Sequence, residues 1–173
     1  MQKTVDVVGA GLAGSECALQ LADRGVRVRL HEQRPVRMSP AHHTDRFAEL
    51  VCSNSLKSTK PETAAGVLKW ELGAMGCRLL PIAQDCSVPA GGALAVDREK
   101  FSDAVTNAVM SHPLIEVVRE EVTRIPEGPS VIAAGPLCSD ALFEAVSQAV
   151  GEGSMSFFDA AAPIVSAESI DRS

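Results

Sequence analysis

The sequence predicts an α/β fold built on a parallel sheet. Three observations carry that prediction. Residues 1–32 read as strand, turn, helix, strand. The turn is the glycine pattern Gly9-Ala10-Gly11-Leu12-Ala13-Gly14. An acid, Glu32, stands 23 residues after Gly9, at the end of the second strand. Together they describe a Rossmann-like, dinucleotide-binding βαβ unit.

Each part has a physical reason. Thr4-Val5-Asp6-Val7-Val8 is a strand. Gly9 allows a tight turn out of it, Gly11 leaves room for a pyrophosphate against the backbone, and Gly14 lets the helix pack closely. The helix that follows runs to Arg24, with Ala18, Leu21 and Ala22 as a small apolar inner face. Its free N–H groups and positive dipole end face the anion. Gly25 ends it, and Val26, Val28 and Leu30 alternate as a strand. Glu32 is spaced to accept from ribose hydroxyls. No Gly-Lys-Ser/Thr follows the glycines, which excludes a phosphate loop of the nucleoside-triphosphatase kind.

After Glu32 the chain departs from a plain βαβ repeat. Gln33-Arg34-Pro35 opens a long irregular segment. Ser39 to Asp45 reads as a loop, Phe47 to Cys52 as a short apolar piece, and Lys57 to Glu62 as exposed loop. Thr63 to Leu72 is a helix, Leu79 to Ile82 a short extended piece, and Val88 to Val96 a glycine-containing loop or strand. Asp97 caps a helix to about Met110, with Phe101, Ala104, Val105 and Ala108 inward. His112-Pro113 ends it. Leu114 to Val118 and Glu121 to Ile125 are strands, and Gly128-Pro129 is a turn. Ser130 to Pro136 is a further strand whose glycine end approaches a cofactor, and Ser139-Asp140 caps a helix to about Val150. The organisation is a βαβ unit over 1–34, an insertion over 35–96 and a continuation of the same domain over 97–173. A nicotinamide domain would show further βα units soon after the acid. The long insertion points instead to a Rossmann-like FAD-binding domain.

Composition narrows the function classes. At 173 residues and 46% hydrophobic content the chain is long enough for one domain with a sizeable core. No run of 18 apolar residues occurs, so no membrane-spanning helix is expected. The first residues enter a strand carrying Asp6 and do not read as a signal peptide. Five scattered cysteines without a C-x-x-C argue for reduced thiols in a cytoplasm and against a zinc site. The net charge is −6, yet residues 1–96 hold 11 Lys/Arg against 9 Asp/Glu. The basic excess concentrates in Arg27, Arg29, Arg34, Arg37 and Arg46, which suits either phosphate ligands and RNA or an ordinary solvated surface. One Trp and no Tyr leave few rings for stacking bases.

Several strings resemble one family in combination: Gly9 to Glu16, Glu32-Gln33-Arg34-Pro35, Pro40 to Asp45, Leu50-Val51-Cys52-Ser53-Asn54-Ser55-Leu56, Val88 to Arg98, Ala134 to Leu137, and Phe158 to Ile164. The chain is similar over nearly its whole length to the folate- and FAD-dependent tRNA (uracil-5-)-methyltransferases, relatives of the tRNA-modifying GidA flavoproteins. The resemblance implies ribothymidine formation in the T-loop of tRNA. It implies methylenetetrahydrofolate as one-carbon donor, and FAD reduced by NADH or NADPH. It also implies a thiolate that adds to C6 of the uracil; DNA and membranes have no part. Gly9, Ala10, Gly11, Leu12, Ala13 and Gly14 would cradle the FAD pyrophosphate, Glu32 would hold the ribose, and Arg34 would neutralise phosphate charge. Cys52 matches a family cysteine near the flavin; read by itself it is a small buried hydrophobe, as most free cysteines are. His42, His43, Asn54 and Ser55 would line the flavin or folate pocket, or else serve as loop hydrogen-bonders. Asp159 to Pro163 would lie near the isoalloxazine. Family members are much longer and place the main uracil nucleophile in their later half. That sets an incomplete copy of the domain, or a non-catalytic flavin-binding remnant, beside the full enzyme, with a generic FAD-dependent oxidoreductase as the third reading.

Overall fold

Thr4–Val8 forms β1 and Arg27–Glu32 forms β2, and the two pair in parallel with Val8 opposite His31. The computed structural model describes residues 4–151. Between the strands, Leu12–Asp23 forms α1. Its inner face is Ala18, Leu19 and Ala22, all buried against the sheet. Gly25 ends it with φ of +78°, a conformation that costs a glycine little. In β2 the side chains alternate, Arg27 and Arg29 outward, Val28 and Leu30 inward. The alternation stops at the C-terminal end, where His31 and Glu32 are both buried.

Two later strands complete the sheet. Ile115–Arg119 (β6) lies parallel to β2, and Ser130–Ile132 (β7) lies parallel to β1. The order is β6-β2-β1-β7, a parallel sheet as the sequence predicts. The C-terminal ends of all four strands therefore point the same way, towards the glycine turn. Arg98–Met110 (α4) precedes β6 and packs on α1 and β6. Asp97 caps it by accepting from the Lys100 N–H at 3.2 Å. Its buried face is Phe101, Ser102, Val105 and Val109; Ala104 and Ala108 are only half-buried. Asp140–Val150 (α5) is capped by Ser139, whose Oγ accepts from the Leu142 N–H.

Residues 35–96 build a second, antiparallel sheet. Ser55–Ser58 (β3), Ser87–Val88 (β4) and Ala93–Val96 (β5) stand in the order β3-β5-β4. Two helices lie between β3 and β4, Ala64–Ala74 (α2) and Leu79–Asp85 (α3).

Three expectations are corrected. Lys57 and Ser58 belong to β3 and are not loop, because β5 supplies the missing pairing partner. Leu79 to Ile82 is helical, not extended. The Glu16 carboxylate takes the N–H groups of Arg78 (2.9 Å) and Leu79 (2.8 Å) and so fixes a helix start. Pro81 sits within the first turn, where its missing N–H costs nothing. Glu121 to Ile125 is not a strand. The chain bends at Glu120, whose side chain turns back to His31, and among the described residues no strand lies on that side of β6 to pair with.

Candidate functional site

The strand ends, the glycine turn and the insertion enclose a cleft of about 310 Å³. Its floor is the glycine turn itself. Gly9 has φ of +97°, and a Cβ there would lie 2.6 Å from Ala134 Cα and 2.7 Å from Ala133 O. At Gly14 a Cβ would stand 1.7 Å from Gly9 O. Both positions are closed to any side chain because backbone already fills the space. Gly11 is the opposite: a Cβ there would meet nothing within 4 Å. Two glycines hold the turn together, and the third faces open cleft. Gly11 is also the N-cap of α1; it brings no side chain to cap the helix, and no acid stands in the first turn. The positive end of α1 thus opens on the space over Gly11.

Glu32 reaches this turn. Its Oε2 accepts from the Ala10 N–H at 2.9 Å. Its Oε1 accepts from the Arg34 N–H at 3.1 Å and from Arg34 Nε at 2.8 Å. Burial pushes the Glu32 carboxyl up, but the hydrogen bonds and charge of Arg34 and the Ala10 N–H outweigh it, so the group ionises below the usual carboxylate range. A carboxylate has roughly four acceptor directions, so capacity remains for a hydroxyl. Arg34 is 2% exposed, with Nη1 donating to Thr44 O (3.1 Å) and Glu49 Oε2 (3.0 Å). Its charge is balanced inside the protein by Glu32 and Glu49.

The first leg of the insertion is tied to the same turn. The Ala48 N–H donates to Ala10 O at 2.9 Å, and the Phe47 N–H donates to Thr106 Oγ1 of α4. Arg119 stacks over the Phe47 ring at 4.4 Å and donates to the carbonyls of Arg34 and Asp45. Ala10 is thereby held at both ends, by Glu32 through its N–H and by Ala48 through its carbonyl.

Of the predicted residues, Gly9, Ala10, Gly11, Leu12, Ala13, Glu32, Arg34, His42 and Cys52 border one cleft. Gly14 acts from beneath, against Gly9. His42 Nδ1 faces Ser39 Oγ, and burial followed by the Arg34 charge lowers its pKa, so the ring is neutral at pH 7. Cys52 is exposed at the cleft wall, whereas Cys17, Cys77, Cys86 and Cys138 are partly buried. His43, Asn54 and Ser55 are not part of the lining. Asn54 Nδ2 donates to Val96 O, Ser55 Oγ accepts from the Lys57 N–H, and the His43 N–H donates to Glu49. These are loop-stabilising roles. Asp159 to Pro163 lies outside the described residues. Four arginines of the basic run are ion-paired with acids of this chain. Arg29 pairs with Asp6 and Glu116, Arg34 with Glu32 and Glu49, Arg37 with Glu121, and Arg46 with Asp103.

Two lining groups have no signal in the sequence. His31 lies between Asp6 Oδ1 (Nε2, 2.8 Å) and Glu120 Oε1 (Nδ1, 2.9 Å). Glu120 is 89 residues away and meets His31 only because β6 pairs with β2. Cys138 borders the cleft from the loop after β7.

Comparison with known proteins places the chain in a family. Residues 4–173 match the family described as GIDA, glucose inhibited division protein A. A protein of Bacillus subtilis (strain 168) named methylenetetrahydrofolate–tRNA-(uracil-5-)-methyltransferase TrmFO is 58% identical over 170 residues, 98% of this chain and 39% of its own length. The protein of the same name from Anoxybacillus flavithermus (strain DSM 21510 / WK1) is 59% identical over 167 residues, 96% of this chain and 39% of its own. The chain thus spans 39% of the length of these curated relatives. Among solved structures, the GidA-related protein from Thermus thermophilus aligns with a TM-score of 0.49 at 17% identity, over 86% of this chain and 68% of that one.

Proposed function

The chain belongs to the GidA family, and from that membership we propose that its cleft binds FAD and forms the flavin site of a folate-dependent tRNA (uracil-5-)-methyltransferase. The observation that carries the reading is the open space over Gly11, at the uncapped start of α1 and beside Glu32. An anion seated there meets backbone N–H groups and the positive end of a helix. Glu32, ionised and oriented by Ala10 and Arg34, keeps acceptor capacity for a ribose hydroxyl. Arg34 borders the cleft as the residue that orients Glu32, its own charge being balanced by two carboxylates.

The chemistry a flavin supplies in such a site is reduction of the transferred carbon, with NADH or NADPH as electron source. The protein's own residues bind, orient and exclude water. Cys52, exposed at the cleft, is the thiol of this portion proposed to meet an incoming uracil. Neutral His42, held by Ser39, is a hydrogen-bonding partner on the same wall. Methylenetetrahydrofolate and tRNA are the proposed substrates because the relatives sharing 58% identity are named for them. Among the described residues no helix is long and apolar enough to cross a membrane, and a cytoplasmic location is part of the proposal.

The test is a fusion in which this chain replaces the aligned portion of the Bacillus subtilis relative. It is assayed with unmodified tRNA, methylenetetrahydrofolate, FAD and NADH or NADPH. Methylation of the T-loop uridine, lost on Cys52→Ala, is expected. A folded, flavin-loaded fusion that transfers no methyl group contradicts the reading. The 39% span supports a second outcome for the chain alone, namely flavin binding without methylation.

A further inference from the structure

α2 is amphipathic the wrong way round. Its buried residue is Gly66, and Lys69 is partly covered, its Nζ donating to Ser58 O at 3.0 Å and Ala65 O at 3.3 Å. The large apolar side chains point outward: Val67, Leu68, Trp70 and Leu72, followed by Met75 at the C-cap. Trp70 and Met75 are each 74% exposed. At 3.6 residues per turn Val67, Leu68, Leu72 and Met75 share one side, with Glu71 among them and Trp70 flanking it. That side runs into an apolar groove of about 380 Å³ between α1 and α2, walled by Cys17, Leu21, Leu72 and Met75. A contiguous apolar patch of this kind marks an interaction surface.

We infer that this face of α2, with the groove beside it, is the seat for the polypeptide that the curated relatives carry outside the portion they share with this chain. The shared portion is 39% of each relative, so most of their length is available within the same molecule to cover the face. RNA fits poorly, because the face is apolar, the helix's one cation, Lys69, turns inward, and Arg24 at the groove is engaged with the Gln20 carbonyl. A second copy fits poorly. Two α2 helices packed face to face would bury both copies of Glu71 in one apolar seam, with no cation on that side of the helix to pair with them. The expected occupant is an apolar segment with a Lys or Arg opposite Glu71. The proposal rests on α2 and on family membership, and stands apart from the flavin reading.

Hydroxyl-radical footprinting reads it directly, because Trp70 and Met75 are reactive and Trp70 is the chain's single Trp. Their oxidation is compared in the 173-residue chain and in the fusion that adds the remainder of the Bacillus subtilis relative. Oxidation of both residues is expected to slow severalfold in the fusion. Leu68→Glu with Trp70→Glu is expected to leave the melting temperature of the 173-residue chain unchanged and to lower that of the fusion. Should the fusion not fold, glutamates at the aligned positions of the full-length relative give the same reading by its melting temperature. Equal oxidation in chain and fusion, or no effect of the glutamates on the longer protein, overturns the proposal. Protection that appears in the chain alone as its concentration rises assigns the face to a second copy. Protection that appears on adding tRNA assigns it to RNA. Either result also overturns the proposal.

Discussion

Glu32 accepts the backbone N–H of Ala10 at 2.9 Å, so the acid that closes β2 also fixes the glycine turn. The same carboxylate is held by Arg34, and the insertion enters through Ala48 on the Ala10 carbonyl. Glu32→Gln replaces one acceptor oxygen by an NH2 that must face a donor, either the Ala10 N–H or Arg34. A loss of about 2 kcal/mol is expected, since a buried donor is left unsatisfied. Urea denaturation of the variant measures it.

The three glycines separate stability from binding. Gly14→Ala drives a Cβ to 1.7 Å from Gly9 O, where backbone cannot yield, and should cost more than about 3 kcal/mol or abolish folding. Gly11→Ala meets nothing and should cost less than about 1 kcal/mol, the difference between Gly and Ala at an N-cap. It should nevertheless weaken FAD binding, because the methyl occupies the space over the helix start. Denaturation and flavin titration on the same samples distinguish the two.

Much of this was legible in the sequence. The glycine spacing, the Gly25 stop and the alternation of β2 are local signals, and each reads out as a local structure. Asp97 and Ser139 were recognisable as caps because a cap acts over three residues. What was hidden depends on distant partners. Glu16 is merely a polar residue on α1 until Arg78 and Leu79 arrive from 62 and 63 residues away. The basic run read as a charged surface because Glu116, Glu121 and Asp103 lie far along the chain. Leu79 to Ile82 looked extended because its helix start is supplied from outside.

Glu16→Ala should detach α3 from α1. The carboxylate accepts from Arg78, Leu79, Cys77 and Gln20, and it stands at a helix N-terminus. A loss of about 2 kcal/mol is expected from cap and dipole together. Hydrogen exchange should show the α3 amides as the first to lose protection.

Stability should fall in acid. Burial raises Glu16, Glu32 and Glu49, but the hydrogen bonds each accepts outweigh it, and all three ionise below the ordinary carboxylate range. A carboxyl lowered in the folded state contributes stability that is fully present above its unfolded value of about 4.3. That stability is lost as pH falls through the folded value. Urea midpoints measured between neutral and strongly acidic pH should drop on the acid side. Gln at positions 16 and 49 should flatten the drop.

Cys52 should be the fastest thiol. Burial pushes Cys17, Cys77, Cys86 and Cys138 up, which leaves them as protonated, half-covered thiols at neutral pH, whereas Cys52 is exposed. Maleimide labelling followed by mass spectrometry should modify Cys52 first. FAD should slow that step, because Cys52 borders the cleft. Equal labelling of all five thiols would place the insertion wall elsewhere.

The cleft over Gly11 is proposed to take the pyrophosphate of FAD. Titration of the purified 173-residue chain with FAD, followed by flavin fluorescence, tests it most directly. Saturable one-to-one binding is expected for the wild-type chain, weakened by Gly11→Ala and by Glu32→Gln in samples that remain folded. A folded chain that binds no FAD, or one whose affinity is indifferent to both substitutions, would contradict it.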